Sequence, residues 1–109
     1  MKEVKAFVKP FKVNDILSRL IEAGYPHLTV SLAEGIGEFR SDESTFSSNF
    51  SIKSSKVAKI EIVCNKNDAD EIAAIISETG RTGNPGDGII YISDVQKAIH
   101  VKNGENVNL

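Results

Sequence analysis

Short runs in which apolar and polar residues alternate are interrupted by two stretches with helical spacing. In residues 4–8, Val4, Ala6 and Val8 fall on one side of an extended segment, Lys5 and Phe7 on the other, and Pro10 ends the run. Apolar residues then recur as Val13, Ile16, Leu17, Leu20 and Ile21, the rhythm of a helix with one buried face. Asn14 or Asp15 suits its N-cap and Gly24 its end. Leu28, Val30 and Leu32 alternate with Thr29 and Ser31, which predicts a second strand. Over residues 56–64, Val57, Lys59, Glu61 and Val63 share one face and Ala58, Ile60, Ile62 and Cys64 the other. The second face is wholly apolar and is therefore the core face. Residues 67–79 read as a second helix, capped by Asn67 with Asp70 three residues on. Its stripe is Ala69, Ile72, Ala73 and Ile76, and Gly80 ends it. Residues 88–95 make a further strand, 98–101 a short last one, and 103–109 a loose polar tail.

The order strand, helix, strand, strand, helix, strand is the split βαβ arrangement. It predicts a single α+β domain over residues 1–109, a ferredoxin-like βαββαβ sandwich with an antiparallel sheet and both helices on one face. The bare sheet face needs a cover, which predicts a homo-oligomer built face to face. The architecture hosts many unrelated functions and decides none of them.

Two segments break the periodicity. Residues 38–55 hold seven serines and no repeat, and read as a long flexible loop. Phe39, Phe46 and Phe50 lie in it, either as rings that fold back onto the core or a neighbouring subunit, or as anchors for a partner protein. The other segment is Thr82-Gly83-Asn84-Pro85-Gly86-Asp87-Gly88, directly before Ile89-Ile90-Tyr91-Ile92. Glycines let another group approach the main chain, and Asp87 can turn its carboxylate onto nearby N–H groups. Such a loop is a tight turn at the least. With its amides free beside a buried strand, it suits an anion such as phosphate.

Composition narrows the field. At 109 residues, 40% hydrophobic and 26% charged, the chain reads as one ordinary soluble domain. A net charge of −2 argues against binding nucleic acid, and the sheet lacks the aromatic pairs of an RNA platform. Cys64 is the one cysteine, so no internal disulfide forms. No apolar run follows the N-terminus or nears the roughly 20 residues that cross a bilayer, so the expected location is the cytoplasm. His27, His100, Cys64, Asp42 and Glu43 could ligate a metal, but none falls at ligand spacing within one segment, so no metal site is expected. A phosphatase would need a nucleophile beside a fixed cation. Arg81 is the one arginine near the loop and has no such companion, so no catalytic residue and no enzyme activity are expected.

The chain resembles the PII signal-transduction proteins (nitrogen regulatory protein P-II) from end to end. The resemblance rests on Val4-Lys5-Ala6-Phe7-Val8-Lys9-Pro10-Phe11-Lys12, Leu28-Thr29-Val30, Gly35-Ile36-Gly37, Lys59-Ile60-Glu61-Ile62-Val63, Arg81-Thr82-Gly83 to Gly86-Asp87-Gly88 with Ile90-Tyr91, and Lys102-Asn103-Gly104-Glu105. It implies a homotrimer with an adenine-nucleotide cleft between subunits, no obligatory cofactor, and a long loop that docks on targets. ATP, ADP or AMP would be the effector, and a membrane transporter or a regulatory enzyme the target. Thr29, Glu61, Ile62 and Val63 would lie near the adenine. Gly35 and Gly37 would flank the phosphates, Gly86, Asp87 and Gly88 would offer them amides, and His100 and Lys102 would stand where the family has phosphate-holding arginines. His100 also fits an ordinary surface histidine.

The departures from the family pattern matter equally. Ile89 stands where a lysine is usual, Glu38 and Phe39 replace an arginine and a glutamine, and Val57 replaces a lysine, although Lys56 is adjacent. Histidine is half charged only near pH 6.5, and lysine lacks arginine's fork. Each charge-assisted phosphate contact is worth about 1.5–3 kcal/mol, so the changes should weaken triphosphate binding about 10²-fold. ADP or AMP should then compete better here than in an ordinary family member, and 2-oxoglutarate, the dicarboxylate the family senses, has few partners without those groups. The loop has no tyrosine, so tyrosyl modification there is unavailable. The alternative is a metal- or other-anion-responsive member of the same family, linked to a transporter and without nucleotide binding.

Overall fold

The computed structural model describes residues 1–36, 45–46 and 53–109. Its elements are β1 (Lys2–Val8), α1 (Val13–Glu22), β2 (Thr29–Gly35), β3 (Thr45–Phe46), β4 (Lys53–Cys64), α2 (Ala69–Gly80) and β5 (Gly88–Asp94). All strand pairings are antiparallel, in the order β2-β4-β1-β5, with β3 paired to β4. This is the predicted α+β, ferredoxin-like arrangement.

Register explains the core. β1 lies between β4 and β5, so Val4 meets Ile62 and Ile92, Ala6 meets Ile60 and Ile90, and Val8 meets Ala58 and Gly88. Residues paired across strands project to the same side. That side is the apolar face predicted for β4, and Val4, Ala6, Val8, Ala58, Ile60, Ile62 and Cys64 are all buried there. Ile16 and Leu20 of α1 and Ile72, Ile75 and Ile76 of α2 close over it. The opposite face carries Glu3, Lys5, Phe7, Lys59, Glu61, Val63, Ile89 and Tyr91. Ion pairs join Lys5 to Glu3 and Lys59 to Glu61, each at 3.4 Å. Phe7 and Tyr91 meet edge to face, with ring centroids 6.3 Å apart.

Several local expectations need correction. Both helices are entered from 3-10 turns, Pro10–Lys12 and Lys66–Asp68, and neither has a side-chain cap bond. Asn14 and Asp15 therefore sit inside the first turn, where Asp15 favours the positive end of the helix dipole. In α2, Ile75 is buried and Ala73 only half-buried, so the stripe is rotated from the predicted one. Leu28 is half-buried, but Val30 and Leu32 remain exposed although they pair with Ile60 and Ala58 on the helix side. β2 is an edge strand out past the helices.

Order also reaches into the stretch read as loop. β4 begins at Lys53, and Ser54 and Ser55 are buried, opposite Thr45 and Gly35. Serine shows no hydrophobic period, yet its small side chain fits a strand whose partners fix the backbone. Finally, 98–101 joins no sheet. The residues read as a loose tail fold back on it: the His100 amide donates to the Glu105 carbonyl at 2.8 Å, and the Val107 amide to the Ala98 carbonyl at 2.8 Å. Ile99 bridges to Asn106, and the Asn103 side chain accepts from the Glu105 amide at 3.0 Å. Asn103 thus closes the turn locally, a feature that hydropathy does not record.

Candidate functional site

β5 starts against β1. Gly88 pairs with Val8 at φ +114°, and a Cβ there would fall 1.7 Å from the Phe7 carbonyl oxygen. Only glycine lets the two strands approach so closely. The loop ahead of it is ordered by one side chain. The Asp87 carboxylate accepts from the Thr82 amide at 2.8 Å, from the Gly83 amide at 2.9 Å and from the Thr82 hydroxyl. The Thr82 hydroxyl in turn accepts from the Asn84 amide at 3.1 Å. Lys9, just past the end of β1, brings its ammonium to 3.3 Å from Asp87 Oδ1 and donates to Thr82 Oγ1 at 3.4 Å. The carboxylate does turn onto nearby N–H groups, but those of Thr82 and Gly83 behind it. Among the described residues, nothing accepts from the Gly86 and Asp87 amides. A small cavity of about 320 Å³ lies beneath the loop, bounded by Val8, Ile76, Gly80, Arg81, Asp87 and Gly88.

Burial pushes the Asp87 carboxyl up, but bonds from the Thr82 hydroxyl, the Thr82 and Gly83 amides and Lys9 outweigh it and hold it down at about 2, against an ordinary 3.8. A carboxylate held below its unfolded value stabilises the fold above that value. The contribution is therefore full above pH 3.8 and is lost as pH falls through about 2. Asp87→Ala should cost on the order of 1–3 kcal/mol at neutral pH. Urea unfolding of both proteins as a function of pH should show the gap closing below pH 4. A gap that stays constant down to pH 2 would refute this assignment.

A second feature lies on the helix-free face. Thr29 and Glu61 pair across β2 and β4, and with Val63 they border a hollow of about 650 Å³. Glu3, His27, Leu28, Ala98 and Val107 are among the other residues on its rim. Of the residues expected around the adenine, Thr29, Glu61 and Val63 thus come together. Ile62 does not join them with its side chain, because strand alternation turns it into the core, where it is 4% exposed. Gly35 is buried opposite Ser55 at the end of β2. His100 and Lys102 are exposed on the C-terminal hairpin. Gly37, Phe39, Phe50 and the side chain of Phe46 lie outside the described residues.

Gly35 and the Gly86–Gly88 stretch are not brought together. β2 and β5 are the two edges of the sheet, three strand spacings or about 14 Å apart. Lys56 faces the opposite side from buried Val57, so it does not replace that side chain by a slip of register. Lys9, His27 and Glu3 escaped the sequence reading of the site. Lys9 touches Thr82 across 73 positions, and no local pattern announces such a contact. Among the described residues, no three His, Cys, Asp or Glu side chains gather as metal ligands, and no helix is long and apolar enough to cross a membrane.

Comparison with known proteins gives one result. The family described as Nitrogen regulatory protein P-II matches residues 1–105. Proteins named Nitrogen regulatory protein P-II from Nostoc punctiforme and Porphyra purpurea are 34% and 33% identical to the chain over 106 residues, covering 96% of it and 95% of each relative. That of Pasteurella multocida is 31% identical with the same coverage. The chain belongs to the nitrogen regulatory protein P-II family, whose members are regulatory signal transducers and not enzymes.

Proposed function

We propose that this regulator reads an adenine nucleotide in a cleft between the subunits of a homotrimer and passes the signal to a partner through residues 38–55. The observation that carries the reading is the separation of two half-sites on one sheet. The hollow bordered by Thr29, Glu61 and Val63, with Glu3 also on its rim, and the loop with the open Gly86 and Asp87 amides lie toward opposite ends of β1 in the same chain. In a closed ring, the hollow of one copy would face the phosphate loop of the next. The base would lie against Thr29, Glu61 and Val63. The amides of Gly86, Asp87 and Gly88, with Gly35, Gly37, His100 and Lys102, would take the phosphates. The partner would be a membrane transporter or a regulatory enzyme, engaged through Phe39, Phe46 and Phe50, and the setting would be the cytoplasm.

ADP or AMP fits better than ATP with 2-oxoglutarate, because Ile89 adds no cation beside the loop and Val57 offers no charge to a dicarboxylate. The ligand can shift the 38–55 segment only by binding its two states unequally. Calorimetric titration with ATP, ADP and AMP, with and without Mg²⁺ and 2-oxoglutarate, tests the reading alongside sedimentation equilibrium. ADP or AMP should bind to a trimer, unaffected by 2-oxoglutarate. Silence for every nucleotide at millimolar concentration, or a monomeric protein, would overturn it.

A further inference from the structure

The Gly-rich loop has an electrostatic peculiarity. From Thr82 to Ile89 it contains one anion, Asp87, and no cation. Left alone, a carboxylate at the centre of the loop would repel any phosphate that approached its amides. Arg81 does not correct this, because its guanidinium is turned back on its own helix. Nε donates to the Ser77 carbonyl at 3.1 Å and a terminal nitrogen to the Ser77 hydroxyl at 2.9 Å.

The compensating charge comes from the other end of the chain. Val8 pairs with Gly88, so the next residue of β1's strand direction, Lys9, comes level with Asp87. Lys9 is extended, with φ −64° and ψ 133°, as the residue before Pro10 must be. Its side chain is 16% exposed and that of Asp87 25%, so solvent screens the pair only in part. The one ammonium touches both Asp87 and Thr82, the two residues whose mutual bonds shape the loop.

We propose that Lys9 is the positioning residue of the candidate phosphate loop, cancelling the Asp87 charge and fixing Asp87 against Thr82 so that the Gly86 and Asp87 amides can donate to a nucleotide's phosphate. The proposal rests on the nucleotide reading above. It adds a residue that lies outside the loop and acts through Asp87. It also explains how a loop with Ile89 beside it keeps any affinity for an anion.

The test uses the full chain as wild type, Lys9→Met and Lys9→Arg. ADP affinity is read by calorimetry, and the loop by NMR pH titration of the Gly83 amide, whose shift reports the Asp87 carboxylate it donates to. Lys9 and the Thr82 and Gly83 donors are the groups that face that carboxylate. Lys9→Met should bind ADP at least about 10-fold more weakly, and the Gly83 titration midpoint should rise by at least about half a pH unit. Lys9→Arg should restore both. Thermal unfolding of each variant separates this from a general loss of fold, since the effect on ADP must appear with the native sheet retained. Unchanged ADP affinity in a folded Lys9→Met protein, or an unmoved Gly83 midpoint, would overturn the proposal. If the wild type binds no nucleotide, the nucleotide reading fails. The Gly83 midpoint then still decides whether Lys9 governs the loop.

Discussion

Gly88→Ala is expected to lose at least about 3 kcal/mol of stability, and with it the closure of β5 on β1. Two costs coincide at this residue. Its φ of +114° is one that L side chains avoid, and the added methyl would lie 1.7 Å from the Phe7 carbonyl oxygen and 2.8 Å from its carbon. The obstacle is backbone, so no side chain can swing aside. Relief would require β1 and β5 to part, which sacrifices the pairings of Val8 with Gly88 and Phe7 with Ile89. Gly83 provides the control. It too has positive φ, at +82°, but nothing lies within 4 Å of its Cβ position. Gly83→Ala should therefore cost only about 1–2 kcal/mol. Thermal unfolding at fixed protein concentration should lower Tm by more than about 12 °C for Gly88→Ala and by no more than about two thirds of that for Gly83→Ala. Equal effects would show that conformational strain, not strand contact, dominates at Gly88.

Ile60→Ala should cost about 3–5 kcal/mol. Ile60 is fully buried at the middle of β4, opposite Ala6 on one side and Val30 on the other. Its neighbour along the same face is Ala58, also fully buried. Ala6 and Ala58, two of its neighbours on that face, are too short to reach into the space. The cavity should therefore persist. Ile60→Val, which removes one methylene, should cost about 0.5–1.5 kcal/mol. Denaturant midpoints for the series would check both figures. A loss below 1 kcal/mol for Ile60→Ala would mean that the sheet and helices collapse around the gap.

Much of the fold was legible because burial writes a period into the chain. Ala58, Ile60, Ile62 and Cys64 alternate with Lys59, Glu61 and Val63, and the structure buries the first set as that alternation predicts. Where burial writes no period, the reading failed. Ser54 and Ser55 are buried in β4 yet look like loop, because serine is polar by composition and small by volume. Val30 and Leu32 look like core but stay exposed, because hydropathy cannot tell an edge strand from a central one. The residues after Asn103 look loose, because a turn closed by one Asn side chain leaves no hydrophobic mark. For the candidate site, the glycine content of the loop and the order of the motifs together pointed to Gly86, Asp87 and Gly88, and Asp87 was expected to bond nearby amides. The identity of those amides, and Lys9 behind them, was not visible.

By itself the sequence determined the α+β class, the two helices, the apolar face of β4, the need for glycine beside Asp87 and membership of the P-II family, all consequences of local pattern or motif order. The tertiary structure alone decided which pieces meet. Antiparallel register set Val8 against Gly88, and so carried Lys9 to Asp87. It paired Thr29 with Glu61 at the rim of the hollow and turned Ile62 into the core. The strand order put Gly35 and Gly88 on opposite edges. These are contacts between residues far apart in the chain, fixed by hydrogen-bond register and by the closing of one shared core, and short-range pattern carries no information about either.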